Sequence, residues 1–169
     1  MGADRLKSEL AISIRAYDER RDAEAVRACV IELQDFERRH EPSMPEGRAM
    51  VDEYVALLMA RCRTWKGRVF VAEIDGEVAG FTCVWGRVPA EEPDDDPADY
   101  AYISDLLVRA EYRRRGVGRA LMAVAEAYAR ECGVEVLRVQ ALAANAGATG
   151  FYRANGFNNF QVELAKRFA

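Results

Sequence analysis

The stretch RVFVAEIDGEVAGFTCVWGRV, residues 68–88, constrains the fold more than any other part of the chain. Two runs rich in β-branched and aromatic residues flank Asp75-Gly76, and Asp-Gly is one of the strongest signals of a two-residue β-hairpin. A lone hairpin is unstable in water unless other strands or helices cover its apolar side chains. We therefore expect a sheet built around residues 68–88.

Hydrophobic periodicity predicts the elements on either side of this hairpin. Alternation of apolar and polar residues predicts a strand over 11–17, and helical spacing predicts helices over 22–39 and 47–63. The elements predicted beyond the hairpin are a strand at 100–108, a helix at 116–132, a strand at 134–142, a helix at 145–155 and a last strand at 159–168.

The element order β-α-α-β-β-β-α-β-α-β predicts an α/β (α+β) fold. Antiparallel strands followed by strand–helix–strand crossovers give a mixed sheet with helices on both faces. We expect a single domain over 1–169, with residues 1–9 as a flexible leader, because 169 residues are enough to bury one core.

Composition argues against several classes of protein. The 24 basic and 28 acidic residues give a net charge of −4, which disfavours a nucleic-acid binder. No stretch approaches the roughly 20 apolar residues of a membrane span, and we expect a cytoplasmic protein without membrane contact. The four cysteines form no CxxC pair, and His40 is the single histidine, so we expect neither a metal site nor a serine-hydrolase triad.

The stretch EYRRRGVGRALM, residues 111–122, joins the predicted strand 100–108 to the predicted helix 116–132. The first N–H groups of a helix lack internal partners, and the helix dipole places partial positive charge there, so an anion is stabilised at this end. Gly116 and Gly118 would let a phosphate approach the backbone closely. The arginines available for charge-assisted contacts are Arg113, Arg114, Arg115 and Arg119.

Two familiar nucleotide sites do not fit this turn. A dinucleotide-binding turn needs a third glycine where the chain has Leu121, and a Walker loop needs Lys-Ser/Thr where it has Arg119-Ala120. The turn is either a pyrophosphate site or a solvated basic loop.

Two motifs make the chain resemble the GCN5-related N-acetyltransferase (GNAT) superfamily. Residues 113–118, RRRGVG, are similar to the Arg/Gln-x-x-Gly-x-Gly/Ala signature of its acetyl-CoA-binding core. Residues 145–157, NAGATGFYRANGF, are similar to its N-x-x-A-x-x-x-Y-x-x-x-G-F segment. The best-matched region is about 100–157, and the two motifs occur in the family's order.

The resemblance implies a mostly antiparallel sheet of about six to seven strands with about four helices, and splayed parallel strands at the cofactor site. It implies acetyl-CoA as cosubstrate and no metal. The cofactor arm would bond to the backbone of Leu106, Leu107 and Val108, with Asn145 and Phe151 beside it. The pyrophosphate would lie on the turn formed by Arg113, Arg114, Arg115, Gly116, Val117, Gly118 and Arg119.

The same resemblance implies the catalytic groups. Tyr152 matches the tyrosine that protonates the leaving thiolate, and amides near Val108 would polarise the thioester carbonyl. Asp105 is the candidate base or amine anchor, or else it only fixes strand geometry. Glu73 and Glu32 are the weaker alternatives. Relatives with a glutamate base carry it where this chain has Ser104 or Tyr102.

The expected function is acetyl-CoA-dependent transfer of an acetyl group to a primary amine of a small molecule or peptide. The alternatives are a non-catalytic acyl-CoA-binding or sensory module on the same fold and, less favoured, a general nucleotide phosphate binder.

The loop EEPDDDPAD, residues 91–99, either attracts cationic amines or is simply solvated. ERRHEPSMPEG, residues 37–47, is expected to border the acceptor site. Since little chain follows Phe157, the acceptor pocket is expected to be open or completed by a second subunit in a homodimer.

Overall fold

The computed structural model describes residues 11–90, 93–94 and 96–168, so the predicted leader and three residues of the acidic loop lie outside the described residues. The strands are β1 (Ser13–Ala16), β2 (Arg68–Ile74), β3 (Glu77–Val88), β4 (Tyr100–Val108) and β5 (Leu137–Val139). The helices are α1 (Glu19–Glu37), α2 (Gly47–Thr64), α3 (Val117–Glu131) and α4 (Ala146–Ala154), with a 3-10 turn at Ala110–Tyr112.

The sheet has the strand order β1-β2-β3-β4-β5. The first three pairings are antiparallel and the β4–β5 pairing is parallel. At the centre of the β2–β3 hairpin, Asp75 has φ 53° and Gly76 has φ 84°. Positive φ at both central residues defines a type I′ turn, whose twist matches that of the flanking strands. The predicted hairpin and the mixed, mostly antiparallel α/β sheet are confirmed.

Helices cover the sheet on both faces, each with its own core. On one face Val30 of α1 and Val51 of α2 pack with Val71 and Phe81 of the hairpin. On the other face Met122 of α3 packs with Val84, Ala101 and Ile103 of the sheet. No helix in the described part of the chain combines the length and apolar character needed to cross a membrane.

A β-bulge at Ser104 shifts the alternation of side chains along β4, so that the residues after it point to the opposite face of the sheet from the one that regular alternation would give. Cys83 of β3 pairs with Asp105 while Val84 pairs with Ile103, so Ser104 is the extra residue. Ile103 belongs to the α3-side core, and Leu107 belongs to the core under α1 and α2. Because side chains alternate with period two, the extra residue turns Asp105 toward α1 and α2.

The parallel strands β4 and β5 separate immediately before the bulge. β5 pairs only with Ala101, Tyr102 and Ile103. From Ser104 to Val108, β4 therefore has no strand neighbour on its β5 side among the residues described. This is the splayed arrangement that the family resemblance implies.

The predicted last strand at 159–168 is wrong, since those of its residues that the structure describes form no strand. The described sheet consequently has five strands rather than six or seven, and β5 is shorter than predicted. Phe160, Val162 and Leu164 alternate with polar residues as in a strand, but they are 65 %, 74 % and 90 % exposed. Alternation stabilises a strand only where a neighbouring strand and an apolar face are available.

Candidate active site

Asp105 is the single carboxyl residue of β4, and it is buried, with an exposed fraction of 3 %. Its Oδ1 accepts a hydrogen bond of 2.8 Å from the Tyr54 hydroxyl, and its Oδ2 accepts one of 2.7 Å from the Ser104 hydroxyl. Burial raises the pKa of Asp105, while the two hydroxyl donors act in the opposite direction. The side chain is thereby fixed in one orientation toward the helices above it.

Asp105 lines a cavity of about 60 Å³ between β4 and the two N-terminal helices. We call it the carboxyl cavity; it is lined by Val30, Leu33, Gln34, Glu37, Met50, Tyr54, Ser104 and Asp105. Glu37 ends α1, and burial together with the charge of Asp105 raises the pKa of Glu37. Two carboxyl groups therefore share one small cavity. A larger open depression of about 590 Å³ lies at residues 153–159 and contains none of the predicted site residues.

Tyr152 belongs to the same electrostatic neighbourhood although it lies on α4. Its ring packs edge-on against Phe151 at 5.6 Å and Phe157 at 5.7 Å between ring centroids. Burial, and then the charges of Glu37 and Asp105, raise the pKa of Tyr152 to about 12. A phenol in this environment keeps its proton at neutral pH. The O–H group of Tyr152 is thus available as a proton donor.

The predicted cofactor-binding turn forms the N-terminus of α3. Gly116, the N-cap, has φ 90° and ψ −8°, which is the left-handed region that favours glycine. Gly118 lies close to α4, since a Cβ added there would be 3.3 Å from the Phe151 ring and 3.6 Å from Val108. The structure therefore brings together the end of β4, the start of α3, including Val117, and Phe151 of α4.

Arg113 anchors this turn to the rest of the protein. Its Nε donates a 2.9 Å hydrogen bond to the Val108 carbonyl, and its guanidinium lies 3.3 Å from the Glu32 carboxylate. Its predicted contact with a cofactor stays a prediction. Arg114, Arg115 and Arg119 are exposed beside the start of α3, and their contacts with a phosphate also stay predictions.

Asn145 caps α4. Its Oδ1 accepts a 3.0 Å hydrogen bond from the Ala148 N–H, and the residue is 7 % exposed. An asparagine at this position satisfies one of the helix's unpaired N–H groups. The side-chain oxygen is therefore occupied, which leaves the amide N–H groups for the predicted contact with a cofactor arm.

The two alternative bases lie away from the carboxyl cavity. Glu32 accepts a 3.1 Å hydrogen bond from the Ala110 N–H and pairs with Arg113. Glu73 pairs with Arg15 at 2.8 Å and with Arg21, and hydrogen bonding from Arg15 lowers the pKa of Glu73. Both carboxylates neutralise arginines, and the structure does not bring either one to Asp105.

Sequence reasoning missed Tyr54 and Ser104 as site residues, and it included Glu37 only as the first residue of the segment expected to border the acceptor site. Glu37 follows Val30 and Leu33 at helical spacing, and Tyr54 lies on the apolar face of α2. A carboxylate on the apolar face of a predicted helix was the signal that could have identified Glu37. Such a group is rarely buried without a partner. Ser104 gave no separate signal, since its role depends on the bulge.

Comparison with known proteins identifies the family of the chain. A family model described as "Acetyltransferase (GNAT) family" matches residues 30–157. An uncharacterised N-acetyltransferase of Methanocaldococcus jannaschii is 30 % identical over 96 residues, which are 55 % of this chain and 40 % of that protein. The chain thus matches less than half the length of this relative.

Solved structures share the fold across almost the whole chain. A GCN5-related N-acetyltransferase from Ralstonia eutropha has a TM-score of 0.71 at 22 % identity, covering 94 % of this chain and 99 % of that one. An aminoglycoside N-acetyltransferase in complex with CoA has a TM-score of 0.66 at 17 % identity, covering 93 % and 99 %.

Proposed function

The chain belongs to the GNAT family of acetyltransferases, and on that premise we propose that it transfers the acetyl group of acetyl-CoA directly to a primary amine of a small molecule or peptide. The predicted enzyme class, acyltransferase, is confirmed at the level of the family. One observation carries the proposal for this chain: the segment of β4 that has no strand neighbour on its β5 side among the described residues runs from Asp105, in the carboxyl cavity, toward the glycine turn that begins α3.

The residues along this edge fit acetyl-CoA. From Ser104 to Val108 the backbone has no strand on one side among the described residues, so an extended pantetheine arm can add there as a strand would. Gly116 presents the N-terminus of α3 without a Cβ, which suits a pyrophosphate. Arg114, Arg115 and Arg119 add positive charge at the same end. When bound, acetyl-CoA supplies the acetyl group as an activated thioester.

Tyr152 holds the proton that the leaving sulfur needs. With a pKa of about 12 it is protonated at neutral pH, and a thiolate is released as the C–S bond breaks. As the C–N bond forms, the acceptor ammonium loses two protons in all. One of them replaces the proton that Tyr152 gives to sulfur, and the other passes through a carboxylate to solvent.

The test is an assay of thiol release from acetyl-CoA with a panel of primary amines. We expect Tyr152→Phe to lower kcat about 10²-fold, the usual size of a general-acid contribution, with an unchanged Kd for acetyl-CoA. Tyr17→Phe is the matched control, because the Tyr17 hydroxyl has no hydrogen-bond partner within the described ranges.

Two results would contradict the proposal. If the wild-type protein binds acetyl-CoA but acetylates no amine of the panel, the non-catalytic acyl-CoA-binding alternative is favoured. If ATP stabilises the protein in a thermal-shift experiment as well as CoA does, the turn of α3 is a general phosphate site.

A further inference from the structure

The two carboxyl groups of the carboxyl cavity have different environments. Both oxygens of Asp105 accept hydrogen bonds from hydroxyls, and the residue is 3 % exposed. Glu37 is half-buried, and within the described ranges its carboxylate has neither a hydrogen-bond donor nor an ion-pair partner. Asp105 is held in place, whereas Glu37 is available to a ligand.

The surroundings of Glu37 favour a cation. It faces Asp105 from β4, Tyr54 from α2 and Tyr152 from α4, and none of these groups is basic. Among the residues that the structure describes, no lysine or arginine lines the carboxyl cavity. Carboxylates taken out of water are normally paired with a positive group or with hydrogen-bond donors. The unpaired carboxylate of Glu37 therefore points to a positively charged ligand.

The size of the cavity narrows the class of ligand. About 60 Å³ accommodates only a few water-sized groups. An unbranched primary ammonium group with the first carbons of its chain fits this space, and it offers a carboxylate three N–H donors, whereas a quaternary ammonium offers none. The apolar lining of Val30, Leu33 and Met50 suits the alkyl carbons of such a chain.

We propose that Glu37 is the catalytic carboxylate that binds the acceptor's primary ammonium group and accepts its proton, while Asp105 positions Tyr54 and Ser104 behind it. The proposal rests on the proposed function and names the acceptor class as unbranched alkylammonium ions. An N–H bond of the ammonium breaks, its electron pair stays on nitrogen, and the proton moves to a carboxylate oxygen of Glu37. From this half-buried position the proton passes to solvent.

The raised pKa of Glu37 is consistent with this role, because a base is more effective when its pKa lies nearer the working pH. Asp105 is less suited to proton exchange with solvent. Its oxygens are enclosed by Tyr54 and Ser104, and a proton leaving it would have to cross the carboxyl cavity.

Glu37→Gln is the variant that tests the proposal, with Glu24→Gln as its matched control. Glu24 lies on the same helix, is exposed, and undergoes the same loss of charge. We expect Glu37→Gln to lower kcat/KM for amines about 10²-fold and to remove the acidic limb of the pH profile, with an unchanged Kd for acetyl-CoA. Glu37→Asp should recover part of the activity.

A second measurement does not depend on turnover. In the presence of CoA, n-butylammonium chloride should raise the Tm of the wild-type protein and of Glu24→Gln above the value in sodium chloride of equal ionic strength. The Tm of Glu37→Gln should be the same in both salts. Choline chloride, a quaternary ammonium, should stabilise none of the three proteins.

The two proposals can fail separately. If the wild-type protein acetylates amines and Glu37→Gln matches Glu24→Gln in turnover and in stabilisation by butylammonium, the role of Glu37 is overturned and the proposed function stands. If no amine is acetylated but butylammonium stabilises the protein through Glu37, the ammonium site stands and the proposed function fails.

Discussion

Asp105 shows how a few contacts on individual residues define the site. Tyr54 and Ser104 donate to its two carboxyl oxygens, and Thr82 donates to its backbone carbonyl at 2.9 Å. The residue is thus attached to α2, to its own strand and to β3. A group held from three directions is suited to keeping its neighbours in position.

The Tyr54 hydroxyl is expected to stabilise the folded protein through its hydrogen bond to Asp105. Tyr54→Phe leaves Oδ1 of a buried carboxyl group without its donor, so we expect the free energy of unfolding to fall by about 1–3 kcal/mol. Urea denaturation measures the change, and Tyr17→Phe controls for the loss of a phenol hydroxyl. Equal stabilities of the two variants would mean that the Tyr54–Asp105 bond contributes nothing.

The family resemblance predicts only part of the candidate site. Asp105 and Tyr152 are named by motifs that resemble a known family, whereas Glu37 and Tyr54 lie on helices far away in sequence. Their approach to Asp105 depends on how α1 and α2 cross the sheet and on the bulge at Ser104. Neither property can be derived from the period of a single helix or strand.

At the scale of elements, the start of α3 depends on backbone that only glycine adopts readily. Gly116 has φ 90°, and the preceding turn contains Arg114 at φ 63°. Arg113 ties this turn to Val108 and Glu32, so β4, α1 and α3 meet at one point. The geometry of the cofactor-binding turn is therefore a property of three elements together.

We accordingly predict opposite effects on stability for a methyl group added at Gly116, the N-cap of α3, and for one added at Gly150 of α4. Gly116→Ala should cost about 1–2 kcal/mol of folding free energy and weaken the binding of acetyl-CoA, because φ is positive there. Gly150→Ala, inside α4 with no atom within 4 Å of the new Cβ, should stabilise the protein by up to about 1 kcal/mol. Urea denaturation and calorimetric titration measure the two effects. A Gly116→Ala protein as stable as the wild type would contradict the prediction.

The elements themselves were largely predictable because each carries a local signal. Asp75-Gly76 specified the hairpin, and Gly133, at φ 73°, follows α3 as a glycine commonly follows a helix. The failure at 159–168 has the opposite cause. Its alternation is a local signal too, but strand formation also requires a partner, and partners are a property of the assembled sheet.

At the scale of the whole molecule, the unpaired carboxylate of Glu37 makes stability depend on pH. The folded state raises the pKa of Glu37 above its ordinary value of 4.5, so folding favours the protonated form. Below pH 4.5 the protonated Glu37 makes its full contribution to the stability of the folded state. This contribution is lost as the pH rises through the pKa that Glu37 has in the folded protein. Glu37→Gln, which cannot ionise, avoids this loss.

We therefore expect Glu37→Gln to become more stable relative to the wild-type protein as pH rises from about 4.5 to neutrality. Glu24→Gln should show no such trend. The measurement is urea denaturation at several pH values. Asp22 and Glu73, whose pKa values Arg15 lowers, affect stability in the opposite sense and mainly at lower pH. A constant difference between Glu37→Gln and the wild-type protein across this range would contradict the prediction.

The bulge at Ser104 also determines how this chain should be aligned with its relatives. An alignment that treats β4 as a regular strand counts one residue too few or too many beyond Ile103, and it assigns the position that faces the carboxyl cavity to the wrong side chain. Comparisons of candidate bases between relatives are therefore meaningful only when the extra residue is placed from the pairing with β3. Structural superposition, rather than residue counting, decides which side chain of another protein corresponds to Asp105.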